Sequence, residues 1–167
     1  MDPVVTHVDI RGGIVVGHDG SRHALRAMRW AADWARRVAC DLHVVRTWVI
    51  STAPRPASWT MTYVPAMSEF QQAVLKALEN DVAAADLSSD VRVACHVVHG
   101  GSSRRLVEVS DHAEMLVVSS RGRGGFAGLV MGSTTDQVVR HARCPVVVIP
   151  AHALDDEPTE SDRAVAH

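Results

Sequence analysis

Short runs of β-branched residues alternate with longer stretches of helical period along most of the chain. Apolar residues recur at helical spacing over residues 21–38, and Ser21 is suited to cap that helix. A second helix is predicted from about Ser68, where Gln71 would complete a capping box. Further helices are predicted over residues 102–112 and 133–142, and strands over residues 14–16, 42–48, 91–98, 115–119 and 146–149.

This order of elements predicts an α/β fold. Near-continuous Val and Ile runs joined by helices are typical of a parallel sheet that is covered on both faces. With right-handed crossovers, the chain forms a three-layer, doubly wound (Rossmann-like) domain with a five-stranded parallel sheet and helices on both faces. Residues 49–66 contain Pro54, Pro56 and Pro65, so this connection is expected to be non-helical before Pro65.

Composition limits the classes of function. The chain has 167 residues, of which 47% are apolar and 22% charged, with a formal net charge of −2. That charge argues against a general nucleic-acid binder, and no apolar run reaches the ~18 residues that span a bilayer. Three widely spaced cysteines and the absence of a signal-peptide pattern suit a reducing compartment. We therefore expect a cytoplasmic protein with neither nucleic-acid nor membrane partners.

The charge is unevenly distributed. Residues 151–167 contain five carboxylates and one arginine, a net charge of −4, and they show no periodicity. Residues 1–150 therefore carry a net charge of +2. We expect one domain over residues 1–150 and an acidic, disordered tail over residues 151–167.

Two connections that follow strands have an unusual composition. Residues 17–21 follow the first strand and include Gly17 and Asp19. Residues 119–135 follow the fourth strand and are rich in glycine and hydroxyl groups. Ligands of open α/β sheets bind beyond the carboxyl ends of strands where the strand order reverses. If the two strands are neighbours, these connections face each other across a crevice.

The second connection has the chemistry of a polyphosphate site. Its glycines at 122, 124, 125 and 128 allow backbone amides to approach a ligand. Residues 132–135 (Gly-Ser-Thr-Thr) open a helix whose free N–H groups favour an anion, and Arg121 and Arg123 add positive charge. The alternative is a flexible loop followed by an ordinary Ser/Thr helix cap.

The spacing of these residues resembles a family signature. The motif begins with Ser119-x-x-Gly122 and continues, after nine residues, with Gly132-Ser133. This spacing is similar to the Gly-2x-Gly-9x-Gly-(Ser/Thr) signature of the ATP-binding branch of the universal stress proteins. The run over residues 121–128 is like that of actinobacterial members, and residues 16–21 resemble the family's first-strand segment. The resemblance covers about residues 12–150.

The resemblance implies an ATP site between the two connections. Asp19 and Gly17 would lie at the nucleoside, and Thr47 would meet the adenine, with Val45 or Arg46 as alternatives. A Mg²⁺ or Mn²⁺ ion would be held by the phosphates rather than by protein ligands. The ribose would lie beside Val118 and Ser119, and the phosphates beside Gly122, Gly132, Ser133, Thr134 and Thr135. Ser119 departs from the family's first motif glycine, and a positive φ at that position would cost a serine about 1 kcal/mol.

The sequence shows no nucleophile, base and orienting group together near these connections, so we expect a nucleotide-dependent regulator of the stress response with at most slow ATP hydrolysis. The family resemblance also implies a homodimer through the edge of the fifth strand, where an apolar strand would otherwise be exposed. One alternative is a dimeric interaction module that binds protein partners and no nucleotide. The other is a slow ATP hydrolase. A relaxed dinucleotide fingerprint from Gly122 to Ala127 follows the wrong strand, and no P-loop is present.

Other residues of interest have structural interpretations. His96 and His99 are three apart on one strand or its end and would point to opposite faces, and the histidines at 18, 23, 43, 112 and 141 lie on different elements. Surface or capping roles are therefore favoured over a metal site for the ten histidines. Trp30 and Trp34 are expected in the core, and Cys40 and Cys144 as small buried hydrophobic residues.

Overall fold

The computed structural model describes residues 3–122 and 131–151, and within them nine elements alternate along the chain. The strands are β1 (Ile14–Gly17), β2 (Leu42–Trp48), β3 (Val93–His99), β4 (Met115–Ser119) and β5 (Val146–Ile149). The helices are α1 (Arg22–Val38), α2 (Met67–Ala84), α3 (Ser102–Val109) and α4 (Ser133–His141). The predicted order of strands and helices is confirmed.

All strand pairs are parallel, and the sheet has the order β3-β2-β1-β4-β5. The chain winds outward from β1 through β2 to β3, then crosses back to place β4 on the other side of β1. Val16 is therefore paired with Val44 on one side and with Val117 on the other. The order reverses between β1 and β4, so their carboxyl ends form the crevice expected of a doubly wound fold.

The sheet buries a hydrophobic cluster on each face. One cluster packs α1 and α2 against the sheet through residues such as Met28, Val74 and Leu78. The other packs α3 and α4 through Leu106 and Val138. Strand residues alternate between the two clusters, which explains why the strand sequences are apolar almost throughout. The three-layer α/β prediction is confirmed.

The predicted capping box of the second helix is wrong. The N-cap of α2 is Ala66, two residues before Ser68, and its backbone N–H donates to the Glu69 carboxylate (2.8 Å). Gln71 instead accepts a hydrogen bond from the backbone N–H of Val5 (2.6 Å). A long-range contact therefore uses the side chain that the local pattern assigned to the cap.

Smaller differences occur at element ends and at two aromatic residues. Helix α3 ends at Val109 rather than at residue 112, and β3 runs from Val93 to His99 rather than over 91–98. Trp34 is 38% exposed and stacks on the half-buried Trp30, so Trp34 is not a core residue. The three cysteines are free and half-buried. Predictions about residues 123–130 and 152–167 lie outside the described residues.

Candidate functional site

A cavity of about 550 Å³ lies where the carboxyl ends of β1 and β4 meet. Connections from both strands line it, as the reversal of strand order requires. The ten predicted site residues all lie at this cavity, together with the alternatives Val45 and Arg46. Its described lining consists of Gly17, His18, Asp19, Ala24, Val45, Arg46, Thr47, Thr52, Ser102, Leu106, Val118, Ser119, Arg121, Gly122, Met131, Gly132, Ser133, Thr134 and Thr135.

The turn after β1 orients the Asp19 carboxylate. Its Oδ1 atom accepts a hydrogen bond from the backbone N–H of Ser21 (2.9 Å), and the Ser21 hydroxyl accepts one from the N–H of Ala24 (3.1 Å). Ser21 is thus the N-cap of α1, as predicted. Gly20 has a φ of 81°, a value that L side chains rarely adopt, and it lets the chain turn tightly between Asp19 and the helix.

Gly122 lies directly against this carboxylate. A β-carbon built on Gly122 would be 2.7 Å from Oδ2 of Asp19, closer than van der Waals contact allows. A side chain at position 122 would therefore force the Asp19 carboxylate to move.

Ser119 ends β4 without the strain that a positive φ would impose. Among the described residues, the non-glycine positions with positive φ are Ala39 and Asp86, and Ser119 is not one of them. Its hydroxyl donates to the Arg121 carbonyl, and its own carbonyl accepts a hydrogen bond from the Thr135 hydroxyl (2.8 Å). The serine that replaces the signature glycine is therefore compatible with the backbone at this point.

The first turn of α4 faces the cavity with unsatisfied donors. Its N-cap is Gly132, which has no side chain to accept a hydrogen bond from the helix, and whose N–H donates to the Ser120 carbonyl (2.8 Å). The N–H groups of Ser133, Thr134 and Thr135 have no acceptor within the helix. With the positive end of the helix dipole, they form an anion-binding end of the cavity.

A pair of hydroxyl groups lies at the opposite end. The Thr47 hydroxyl, at the end of β2, donates to the hydroxyl of Ser102, the first residue of α3 (2.7 Å). Ser102 was not predicted as a site residue. The signal that could have found it is Gly100-Gly101, which follows β3 as the glycine-rich segment follows β4.

A cluster of three polar side chains adjoins the cavity and was also missed from the sequence; His18 and Arg46 are buried and Asp81 is partly exposed. The His18 side chain is 1% exposed, and its Nε2 lies 3.0 Å from Oδ2 of Asp81 on α2. The same oxygen lies 3.5 Å from Nη1 of Arg46. His18 is thus buried rather than at the surface. The His18 Nδ1 atom has no hydrogen-bond partner in the described structure.

The described residues contain neither a membrane-spanning helix nor a metal-binding group of side chains. No helix in residues 3–122 and 131–151 is long and apolar enough to cross a membrane. Within the same ranges, no group of three or more His, Cys, Asp or Glu side chains is arranged to hold a metal ion.

Comparisons with known proteins agree with this architecture. Residues 12–150 match the model of the universal stress protein family. Universal stress protein Rv1996 of Mycobacterium tuberculosis is 33% identical over an alignment 156 residues long, and the match covers 83% of this chain and 48% of that protein. The chain therefore spans about half the length of the curated relatives it matches.

Solved structures show the same fold. A universal stress protein in complex with cAMP superposes with a TM-score of 0.58 and 25% identity, covering 86% of this chain and 99% of the other. The universal stress protein from Archaeoglobus fulgidus in complex with dAMP has a TM-score of 0.55 and 20% identity, covering 84% and 98% of the two chains. At that identity the second likeness shows the fold alone. With the family model matching most of its length, this chain belongs to the universal stress protein family.

Proposed function

We propose that this chain binds ATP between the connections that follow β1 and β4 and acts as a nucleotide-dependent regulator of the stress response. The observation that carries the proposal is the cavity itself. It combines an oriented carboxylate, a glycine packed against that carboxylate, and a helix N-terminus without a side-chain cap within one volume.

The phosphates would bind at the α4 end of the cavity. The amides of Ser133, Thr134 and Thr135 are aimed at an anion, and the hydroxyls of Ser133 and Thr134 line the same space. The Thr135 hydroxyl already donates to the Ser119 carbonyl. Thr135 would therefore bind phosphate mainly through its backbone N–H, while its hydroxyl holds α4 against the end of β4.

The nucleoside would occupy the other end. Asp19 would accept hydrogen bonds from the ribose, and the adenine would lie near Thr47 and Val45, at the end of β2. A divalent ion such as Mg²⁺ or Mn²⁺ would be held by the phosphates, since metal binding through phosphates needs few protein ligands. The relative with bound cAMP supports an adenine nucleotide in this fold.

The site favours regulation over dedicated catalysis. Asp19 is the only carboxylate among the described residues that line the cavity, and its Oδ1 is already engaged by the Ser21 N–H. Hydrolysis would need a group that activates water, and Asp19 is the candidate for it. The alternative of a slow hydrolase therefore depends on this one residue.

A second candidate, a dimeric interaction module that binds no nucleotide, is favoured by the place of β5. This strand has β4 on one side and is the last in the sheet order. We infer that two copies associate through this edge, which would cover its unpaired backbone groups. Dimerisation is compatible with ATP binding, so only the nucleotide measurement separates the two candidates.

Isothermal titration calorimetry of nucleotide-stripped protein tests the proposal. We expect ATP to bind with a measurable heat and to raise the melting temperature, because a ligand that binds only the native state stabilises it. AMP and cAMP are titrated in parallel, and the difference between their affinities and that of ATP reports how much the β- and γ-phosphates contribute. Absence of both heat and thermal shift at millimolar ATP would exclude the ATP site and leave the interaction module.

A further inference from the structure

Five arginines form a stripe along the solvent side of α1. At 100° per residue they fall within a sector of about 100°, opposite the alanines and Met28 that pack on the sheet. The helix contains a single acid, Asp33, so α1 has a net charge of +4. The members of this arginine stripe are Arg22, Arg26, Arg29, Arg36 and Arg37.

The stripe differs from most other arginines that the structure describes. Most of those pair with an acid, as Arg140 does with Asp136 (3.0 Å) and Arg104 with Glu108 (2.9 Å), whereas the exposed Arg55 lies over the Trp59 ring. Arg22, Arg36 and Arg37 are exposed and make no ion pair with any acid in residues 3–122 or 131–151. At least these three guanidinium groups are therefore open to an acidic group from outside the described residues, although Asp33 lies within the same sector of α1.

Two tryptophans border the stripe. Trp30 and Trp34 are one turn apart, and their rings stack in parallel with centroids 5.8 Å apart. Trp34 is 38% exposed. The stripe therefore combines guanidinium donors with an accessible aromatic edge, a surface suited to an acidic peptide segment.

The last described residue is held at this surface. Nη1 of Arg26 donates to the Ala151 carbonyl (2.8 Å), and the Ala151 N–H donates to the Ser120 hydroxyl (2.9 Å). Residues 152–167, which follow, contain five carboxylates and one arginine, a net charge of −4 against the +4 of α1. Sixteen residues can reach up to ~50 Å, and α1 is only about 25 Å long.

We propose that the acidic segment 152–167 binds the arginine stripe of α1 within the same molecule. The contact is electrostatic and lies at the surface, so salt weakens it. While bound, the segment denies the stripe to other polyanions. None of the five arginines lines the nucleotide cavity, so the contact does not depend on the proposed function.

The four indole N–H signals of the full chain provide the test by ¹⁵N NMR without nucleotide. Trp30 and Trp34 report on the stripe, whereas Trp48, buried in β2, and Trp59, packed against Phe70, are internal controls. The comparison is with a full-length variant in which the five carboxylates are neutralised. Its substitutions are Asp155→Asn, Asp156→Asn, Glu157→Gln, Glu160→Gln and Asp162→Asn.

We expect the Trp30 and Trp34 signals to differ between the two proteins at low salt while those of Trp48 and Trp59 coincide. Raising NaCl from about 20 to 500 mM shortens the screening length from ~20 to ~4 Å and should remove the difference. Arg22→Gln/Arg36→Gln should also remove it, but the matched surface variant Arg92→Gln/Arg104→Gln should not.

A synthetic peptide of residues 152–167, added to the neutralised variant, should restore the native Trp30 and Trp34 signals at low salt. Coincident Trp30 and Trp34 signals in the two proteins at low salt would overturn the proposal. The same salt response in the neutralised variant would overturn it too, since the stripe would then respond to something other than this segment.

Discussion

Oδ2 of Asp19 lies 2.7 Å from the position that a β-carbon on Gly122 would occupy. Two residues 103 positions apart in the chain are thus neighbours at the crevice between β1 and β4. A side chain at position 122 would meet this carboxylate on the facing connection, so Gly122 keeps the position of Asp19 undisturbed.

Gly122→Ala should lower ATP affinity about tenfold, a loss of about 1.4 kcal/mol, because the methyl group displaces Asp19. Gly122→Glu should abolish binding by filling the cavity. Gly101→Ala is the matched control, since a β-carbon on Gly101 meets nothing within 4 Å. Calorimetry on the three variants checks the order, and equal affinity of Gly122→Ala and the wild type would contradict it.

Asp19→Ala should weaken ATP binding by ~10- to 100-fold, the value of one or two hydrogen bonds to a charged group. Asp19→Asn is the informative partner, because an amide oxygen still accepts from the Ser21 N–H and preserves the turn. We expect an intermediate affinity for it. If phosphate release from ATP is detectable in the wild type, its loss in Asp19→Asn would favour the slow hydrolase.

Thr135→Val should destabilise the fold by about 1–3 kcal/mol, because the Ser119 carbonyl loses its hydroxyl donor at a site where Thr135 is only 5% exposed. Thr135→Ser keeps the hydroxyl and should cost less. Urea unfolding measures both variants. A Val variant as stable as the wild type would mean that water replaces the lost donor.

The free energy of unfolding should fall as the pH is lowered from about 7.5 to 5.5. Burial lowers the pKa of His43, and the Asp41 charge opposes this shift. Burial also lowers the pKa of His96, and the nearby His43 imidazole lowers it further. His43 Nδ1 and His96 Nε2 are 3.1 Å apart across β2 and β3.

The sign follows from these lowered pKa values. Below the ordinary value of 6.5 the unfolded chain binds more protons than the native one, so stability decreases until the pH passes the native pKa values. His96→Gln should flatten this dependence, whereas His7→Gln, at an exposed position, should leave it unchanged. Urea midpoints at several pH values provide the measurement, and an unaltered slope in His96→Gln would contradict the assignment.

Val148→Pro should convert the proposed dimer to a monomer. The carbonyls of Pro145 and Ile149 accept hydrogen bonds from β4, so the alternate residues Val146 and Val148 direct their backbone groups to the open edge. Proline at 148 removes one outward N–H without breaking a bond to β4. Light scattering at micromolar concentration measures the mass, and a monomeric wild type would refute the dimer itself.

The sequence by itself determined the element order and the class of fold. Runs such as Val146–Ile149 are apolar at every position because both faces of the sheet are covered, and helical periodicity identified the segments between them. It also located both connections of the candidate site, because glycines, hydroxyls and the Asp19 carboxylate are visible without coordinates.

Only the tertiary structure decided which distant side chains meet. His18 and Asp81 are 63 residues apart, and Arg46 joins them from a third element, so no local pattern indicates the cluster. Gln71 fits a capping box in sequence but contacts Val5 in the fold, where a donor 66 residues away is within reach. Local patterns record burial and backbone preference, whereas polar contacts between elements depend on which chain segments the packed sheet brings into hydrogen-bond distance.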